Sequence, residues 1–139
     1  MNKVDFLVRR DDLATTELRE DVCKPLIHGQ IRLTIDRFAL TANNISYAQA
    51  GDTLKYWTFF PAPDGFGSIP VWGFATVIES EIHEVAIGET IWGYYPMSTH
   101  VVLEPKGITS RGFIDGASHR QERHTIYNQY NRCQADAWH

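Results

Sequence analysis

Apolar and polar positions alternate most regularly just after Gly29. Ile31, Leu33 and Ile35 interleave with Gln30, Arg32, Thr34 and Asp36, the period of a half-buried strand. Val71 to Glu79 is largely apolar and predicts a strand buried on both faces. Ile91-Trp92 and Val101-Val102-Leu103 are two further short strands, each beside a turn or proline signal. Near the start, Val4, Phe6 and Val8 point one way on a short strand. The following LATTELREDV scatters Leu13, Leu18 and Val22 among charges, and predicts an exposed turn or a short helix stopped by Pro25. Asn43 or Asn44 caps a short helix that Gly51 ends, and Asp52 caps another over Thr53 to Trp57. Short strands with little helix between them predict a mainly β unit, a small open barrel or a sandwich.

The pattern changes after Pro105. KGITSRGFIDGAS is glycine-rich and reads as a loop. Ser118, with Gln121 three residues on, makes a capping box and starts a C-terminal helix. Ile126, Tyr127, Tyr130 and Cys133 form an apolar stripe at helical spacing. Such a stripe needs cover, and a second copy of the chain is one candidate. The chain thus divides into a lead-in over 1–28, a core over 29–105 and a loop with a helix over 106–139.

Composition adds one unusual feature. Between Tyr56 and Phe66 the sequence YWTFFPAPDGF crowds Tyr56, Trp57, Phe59, Phe60 and Phe66 around two prolines and a glycine. Two readings stay open there, a plug folded onto the core and a recognition surface. Glu79, Glu81, Glu84 and Glu89 read as a solvated turn, with Val85 and Ile87 a short extended piece between them.

The 139 residues are one domain's worth, with 43% hydrophobic and 22% charged residues. A net charge of −4 offers no basic face for nucleic acid. No apolar run approaches the roughly 20 residues that cross a bilayer. The start, MNKVDFLVRRDD, does not read as a secretory leader. Cys23 and Cys133 lack any Cys-x-x-Cys pattern, so a cytoplasmic chain with both thiols free is expected. The six histidines are spaced without a convincing third ligand for any pair.

Taken in order, GQIRLTIDRFALTANNISYAQAGD, PVWGFATVIES and VAIGETIWGYY carry a resemblance. The stretch 29–105 resembles the GroES-like domain of the medium-chain dehydrogenase/reductase superfamily, in particular an uncharacterised, quinone-oxidoreductase-like branch known as a domain of unknown function. The resemblance implies a GroES-like, partly open barrel with short helices. It also implies an oxidoreductase, with this domain on the substrate side. Zinc-dependent members place a cysteine ligand where Thr41 stands, a histidine where Phe74 stands and an acid where Ala75 stands. Hydroxyl, phenyl and methyl groups do not replace thiolate and imidazole on zinc, so a zinc-independent member is implied.

In zinc-free members the substrate lies in a cleft beside the same segment. The resemblance puts Tyr47 and Asn44 in catalytic positions, Tyr47 offering an O–H to a carbonyl or ribose and Asn44 able to donate and accept. Thr41, Phe74, Phe60 and Trp57 would line the cleft. NADPH or NADH would be the cofactor only with a Rossmann domain supplied, because this sequence has no G-x-G-x-x-G turn. Gly65-Phe66-Gly67 sits among prolines and does not open a helix pattern. The isolated chain is therefore expected to be silent in redox chemistry, its partner a missing nucleotide-binding domain or a second copy. The rival reading is a non-catalytic binding or assembly module that packs through its aromatic loop and C-terminal helix.

Overall fold

The structure, a computed structural model, describes residues 1–40, 60, 62–116 and 129–133. Its elements are β1 (Asn2–Arg9), β2 (Asp12–Val22), β3 (Ile31–Ala39), β4 (Phe66–Gly67), β5 (Pro70–Ser80), β6 (Thr90–Pro96), β7 (His100–Leu103), β8 (Pro105–Lys106), β9 (Gly112–Asp115) and β10 (Gln129–Arg132). Every strand pairing among them is antiparallel. No α-helix occurs among the described residues.

A seven-stranded sheet runs in the order β7-β3-β5-β6-β10-β9-β8. Its two ends are consecutive pieces of chain, because only Glu104 separates β7 from β8. Glu104 ties the two ends together: its amide donates to Asp115 Oδ1 at 3.0 Å, and its carbonyl accepts from Gly116 N–H at 2.8 Å. The sheet is a nearly closed barrel, which removes most of the exposed strand edge.

Alternation along the strands fills the interior. Ile31 and Leu33 of β3, Ala75 and Val77 of β5, and Ile91 and Tyr95 of β6 join Val85, Leu103, Phe113 and Tyr130 in one buried cluster. From Val71 to Ile78, β5 is buried on its odd positions and half-buried on its even ones, so it has an inner and an outer face. Gly93 of β6 makes room for a core tyrosine, since a Cβ there would clash with the edge of the Tyr130 ring.

A second sheet, β2-β1-β4, lies against the barrel. β1 is stitched to the turn after β6 by Phe6 N–H to Met97 C=O at 2.8 Å and Thr99 N–H to Val4 C=O at 3.0 Å. Val8, Ile69, Val71 and Met97 form the small core beneath it.

Several expectations need correction. LATTELREDV is neither turn nor helix but the long strand β2, paired over its length with β1. It is an outer strand with charges on both faces, held by its backbone ladder rather than by side-chain burial, so no alternation marks it. Residues expected at the end of a C-terminal helix are a strand instead: Tyr130 and Cys133 are buried, and β10 bridges β6 and β9. The apparent helical stripe arose because Tyr130 fills the barrel, a tertiary demand that local spacing does not report. Ile126 and Tyr127 lie outside the described residues.

The glutamate segment is not uniformly solvated either. Glu89 is buried, and its carboxylate meets Arg132 through Nε–Oε1 and Nη2–Oε2 contacts of 2.8 Å each. Val85 packs into the core from a bend rather than from an extended piece. The glycine-rich stretch after Pro105 contributes β9 to the barrel. The helices expected over Asn43–Gly51 and Thr53–Trp57 fall outside the described residues.

Candidate functional site

The outer face of β5 and β6 carries a continuous aromatic row. Even positions of β5 face outward, which puts Trp72 and Phe74 side by side. The register pairs Phe74 with Trp92 and Trp72 with Tyr94 across the strands. Trp72 and Trp92 are stacked with centroids 6.0 Å apart, and Phe74 leans on Trp92 at 4.8 Å. Trp72 also meets Tyr94 at 4.9 Å, and Tyr94 meets Phe60 at 6.3 Å. At the open end the Arg37 guanidinium lies over the Phe74 ring, 4.6 Å from its centroid. Gly73 lets β3 come this close, because a Cβ there would strike Arg37 C=O and the Phe38 side chain.

Trp72, Phe74 and Trp92 are half-buried, whereas Tyr94 and Phe60 are buried. The row is therefore anchored at one end and accessible at the other. An aromatic row with one stacked pair, its other rings tilted to one another and a cation at its edge, offers ring faces and edges to a flat, conjugated molecule.

Of the six site residues expected from sequence, the structure brings Phe74 and Phe60 into this one row, at opposite ends. Thr41, Asn44, Tyr47 and Trp57 lie outside the described residues. Sequence reasoning missed Trp72, Trp92 and Arg37. Trp72 was within reach of a period-two reading of β5, but Trp92 and Arg37 need the cross-strand register. Phe66, expected in the aromatic loop, instead belongs to β4, where the Arg9 and Arg19 guanidinium groups lie over its ring at 5.7 and 5.3 Å.

Phe60 also borders a cleft of about 710 Å³ between β1, the segment 21–27 and the β3–β7 edge. His100 and Arg32 line it from the barrel side. Burial, then the positive charges of Arg32 and Lys3, hold the His100 imidazole below its ordinary pKa, with Glu79 opposing them and the N-terminal ammonium adding slightly. His100 Nδ1 sits 2.9 Å from Thr99 Oγ1. Arg32 is held by Glu79 at 2.5 Å and by the Lys24 carbonyl.

Among the described residues no three His, Cys, Asp or Glu side chains converge. Gly65-Phe66-Gly67 runs through the turn closed by Phe66 N–H to Pro63 C=O at 3.0 Å into β4, so it opens no helix.

The profile of a family described as a protein of unknown function, DUF2855, matches residues 38–139. The chain belongs to the DUF2855 family. The matched span of this DUF2855 member takes in β4 to β10, the aromatic row from Trp72 to Tyr94 and the end of β3 that carries Phe38. No curated protein matches the chain.

Proposed function

We propose that this DUF2855 chain is the substrate-side, GroES-like part of a zinc-independent oxidoreductase acting on flat conjugated carbonyl compounds such as quinones. The observation that carries the proposal is the aromatic row. Phe74 stands where zinc-dependent relatives of the resembled superfamily would carry a metal ligand, and here it extends a stacking surface through Trp92 and Trp72. A ring system laid on that surface would present its carbonyl toward the Arg37 edge. Tyr47 and Asn44 are the proposed proton donor and orienting group on the segment after β3. The nicotinamide cofactor would come with a separate nucleotide-binding domain, and this chain alone would transfer no hydride.

The test is titration of the chain with a naphthoquinone, read by tryptophan fluorescence against Trp72→Phe and Trp92→Phe variants. Saturable quenching that both substitutions reduce is the expected result. Arg37→Ala should weaken the apparent affinity about 2- to 5-fold, a cation–π contribution of about 0.5–1 kcal/mol. Quenching that never saturates, or that is untouched by both tryptophan substitutions, overturns the proposal. Saturable binding of NADPH to this chain alone would overturn its division of labour.

The second reading, an assembly module, rests on the same half-buried row used against another copy. It no longer includes Tyr130, which is inside the barrel. Sedimentation across a concentration series decides it: a mass that stays monomeric throughout removes this reading.

A further inference from the structure

Of the strands that end a sheet among the described residues, β2 is the longest. Its one strand neighbour there is β1, with which it keeps an unbroken register over 16–22. The backbone of β1 fixes which way β2 points its own groups. Val4 binds Thr99 through both its N–H and its C=O, and Phe6 N–H donates to Met97 C=O. These even positions of β1 face away from β2, so its odd positions carry the hydrogen bonds between the two strands. Across the ladder Val4 stands opposite Glu20, Phe6 opposite Leu18 and Val8 opposite Thr16. Thr16, Leu18 and Glu20 consequently turn their N–H and C=O groups to the outer edge, a template for a further strand.

Charge decides which strand fits. Glu17 and Arg19 share one face and meet at 2.9 Å, while Leu18 between them points to the other face and is 71% exposed. The outward groups lie on even positions, so an antiparallel second copy must pair even with even. A pair centred on Glu17 sets that carboxylate against its own copy, and one centred on Arg19 does the same with two guanidinium groups. A pair centred on Leu18 sets Glu17 opposite the partner's Arg19 and Arg19 opposite the partner's Glu17. Leu18 then meets the partner's Leu18, and Thr16 stands opposite the partner's Glu20. Like charges exclude the adjacent registers, and opposite charges select this one. An edge guarded by charge alone would repel its copy in every register.

We propose that the outer edge of β2 docks a second copy of this chain, antiparallel about a two-fold axis at Leu18, joining two β4-β1-β2 sheets into one. Glu17 and Arg19 of both copies form a single cluster of alternating charge. A ladder over 16–20 is short, so the dimer belongs to the weak, transient class. The interface uses neither the aromatic row nor any part of the reductase reading.

The test is sedimentation equilibrium of the whole chain over a series reaching millimolar concentration, with amide chemical shifts followed over the same series. A reversible monomer–dimer equilibrium is expected, with shifts that grow with concentration at Thr16, Leu18 and Glu20. Glu17→Arg should weaken dimerisation about tenfold, because two like-charge pairs replace two attractive ones. Adding Arg19→Glu exchanges the partners and should restore it. Leu18→Pro removes an outward donor, leaves the hydrogen bonds to β1 in place and should abolish the dimer. If Leu18→Pro unfolds the chain, the charge exchange decides alone. A chain that stays monomeric throughout overturns the proposal. So does a dimer that folded Leu18→Pro still forms, one that Glu17→Arg does not weaken, or one that the double variant fails to restore.

Discussion

Gly93 is where a single atom decides whether the barrel can fill. It occupies an inward position of β6 between Ile91 and Tyr95, directly beneath the Tyr130 ring. Tyr130 has nowhere to retreat, since its hydroxyl donates to the Tyr94 carbonyl at 2.6 Å and its ring stacks on Phe113 at 5.6 Å. Gly93→Ala should therefore destabilise the chain by about 1–3 kcal/mol, the usual cost of overpacking, measured as a lower urea midpoint. His100 offers a residue-scale prediction of another kind. Its pKa is lowered in the folded chain from a reference of 6.5, with Arg32 on β3, Lys3 and the N-terminus on the β1 side, and Glu79 on β5 around it. Between its lower folded value and 6.5 the unfolded chain binds more protons, so stability falls as pH falls through that window. The decline should be shallower in His100→Gln, seen in urea unfolding at a series of pH values.

At the scale of elements, β10 joins β6 to β9 by short ladders. Among the described residues it pairs with β6 through Asn131↔Trp92 and Arg132↔Ile91. Arg132 pins it by clasping Glu89 with two contacts and donating to the Thr109 carbonyl at 3.1 Å. Glu89 in turn accepts from the Ala86 amide at 2.8 Å, so the clasp also fixes the turn before β6. Arg132→Met would strand a largely buried carboxylate and should cost about 3 kcal/mol. Adding Glu89→Gln removes the stranded charge but keeps an oxygen for Ala86, so the double variant should recover part of the loss. Strictly additive losses in urea unfolding would contradict this account.

For the whole molecule, closure is what creates the two candidate surfaces. Because β7 and β8 meet at Glu104, the sheet curls and leaves β5 and β6 with an outer face, where the aromatic row forms. The β1–β2 ribbon, stitched on through Met97 and Thr99, cannot lie flat on that curved wall, and the cleft is the space beside it. One face thus offers aromatic contact and the other a half-open cleft lined by charged and apolar residues, with Phe60 touching both. A naphthoquinone titration should accordingly move the residues of the outer-face row and leave those of the cleft unchanged.

Local pattern alone determined that this protein is mainly β, and it located β1, β3, β5, β6 and β7. Alternation and β-branched runs report directly on which side of a strand is dry. Asp64-Gly65 also announced its turn in advance, and Phe66 N–H closes it on Pro63. The tertiary structure decided the rest. β2 and β10 are strands because neighbours offer them backbone ladders, and an interior large enough for Tyr130 overrides the helical spacing of its own segment. The candidate sites follow the same division. Phe74 and Phe60 stood out by type and position, but Trp92 and Arg37 reach Phe74 only through cross-strand register. Charge pairs such as Arg132–Glu89 and Arg32–Glu79 join residues more than forty positions apart, and only a closed sheet brings them within hydrogen-bonding distance.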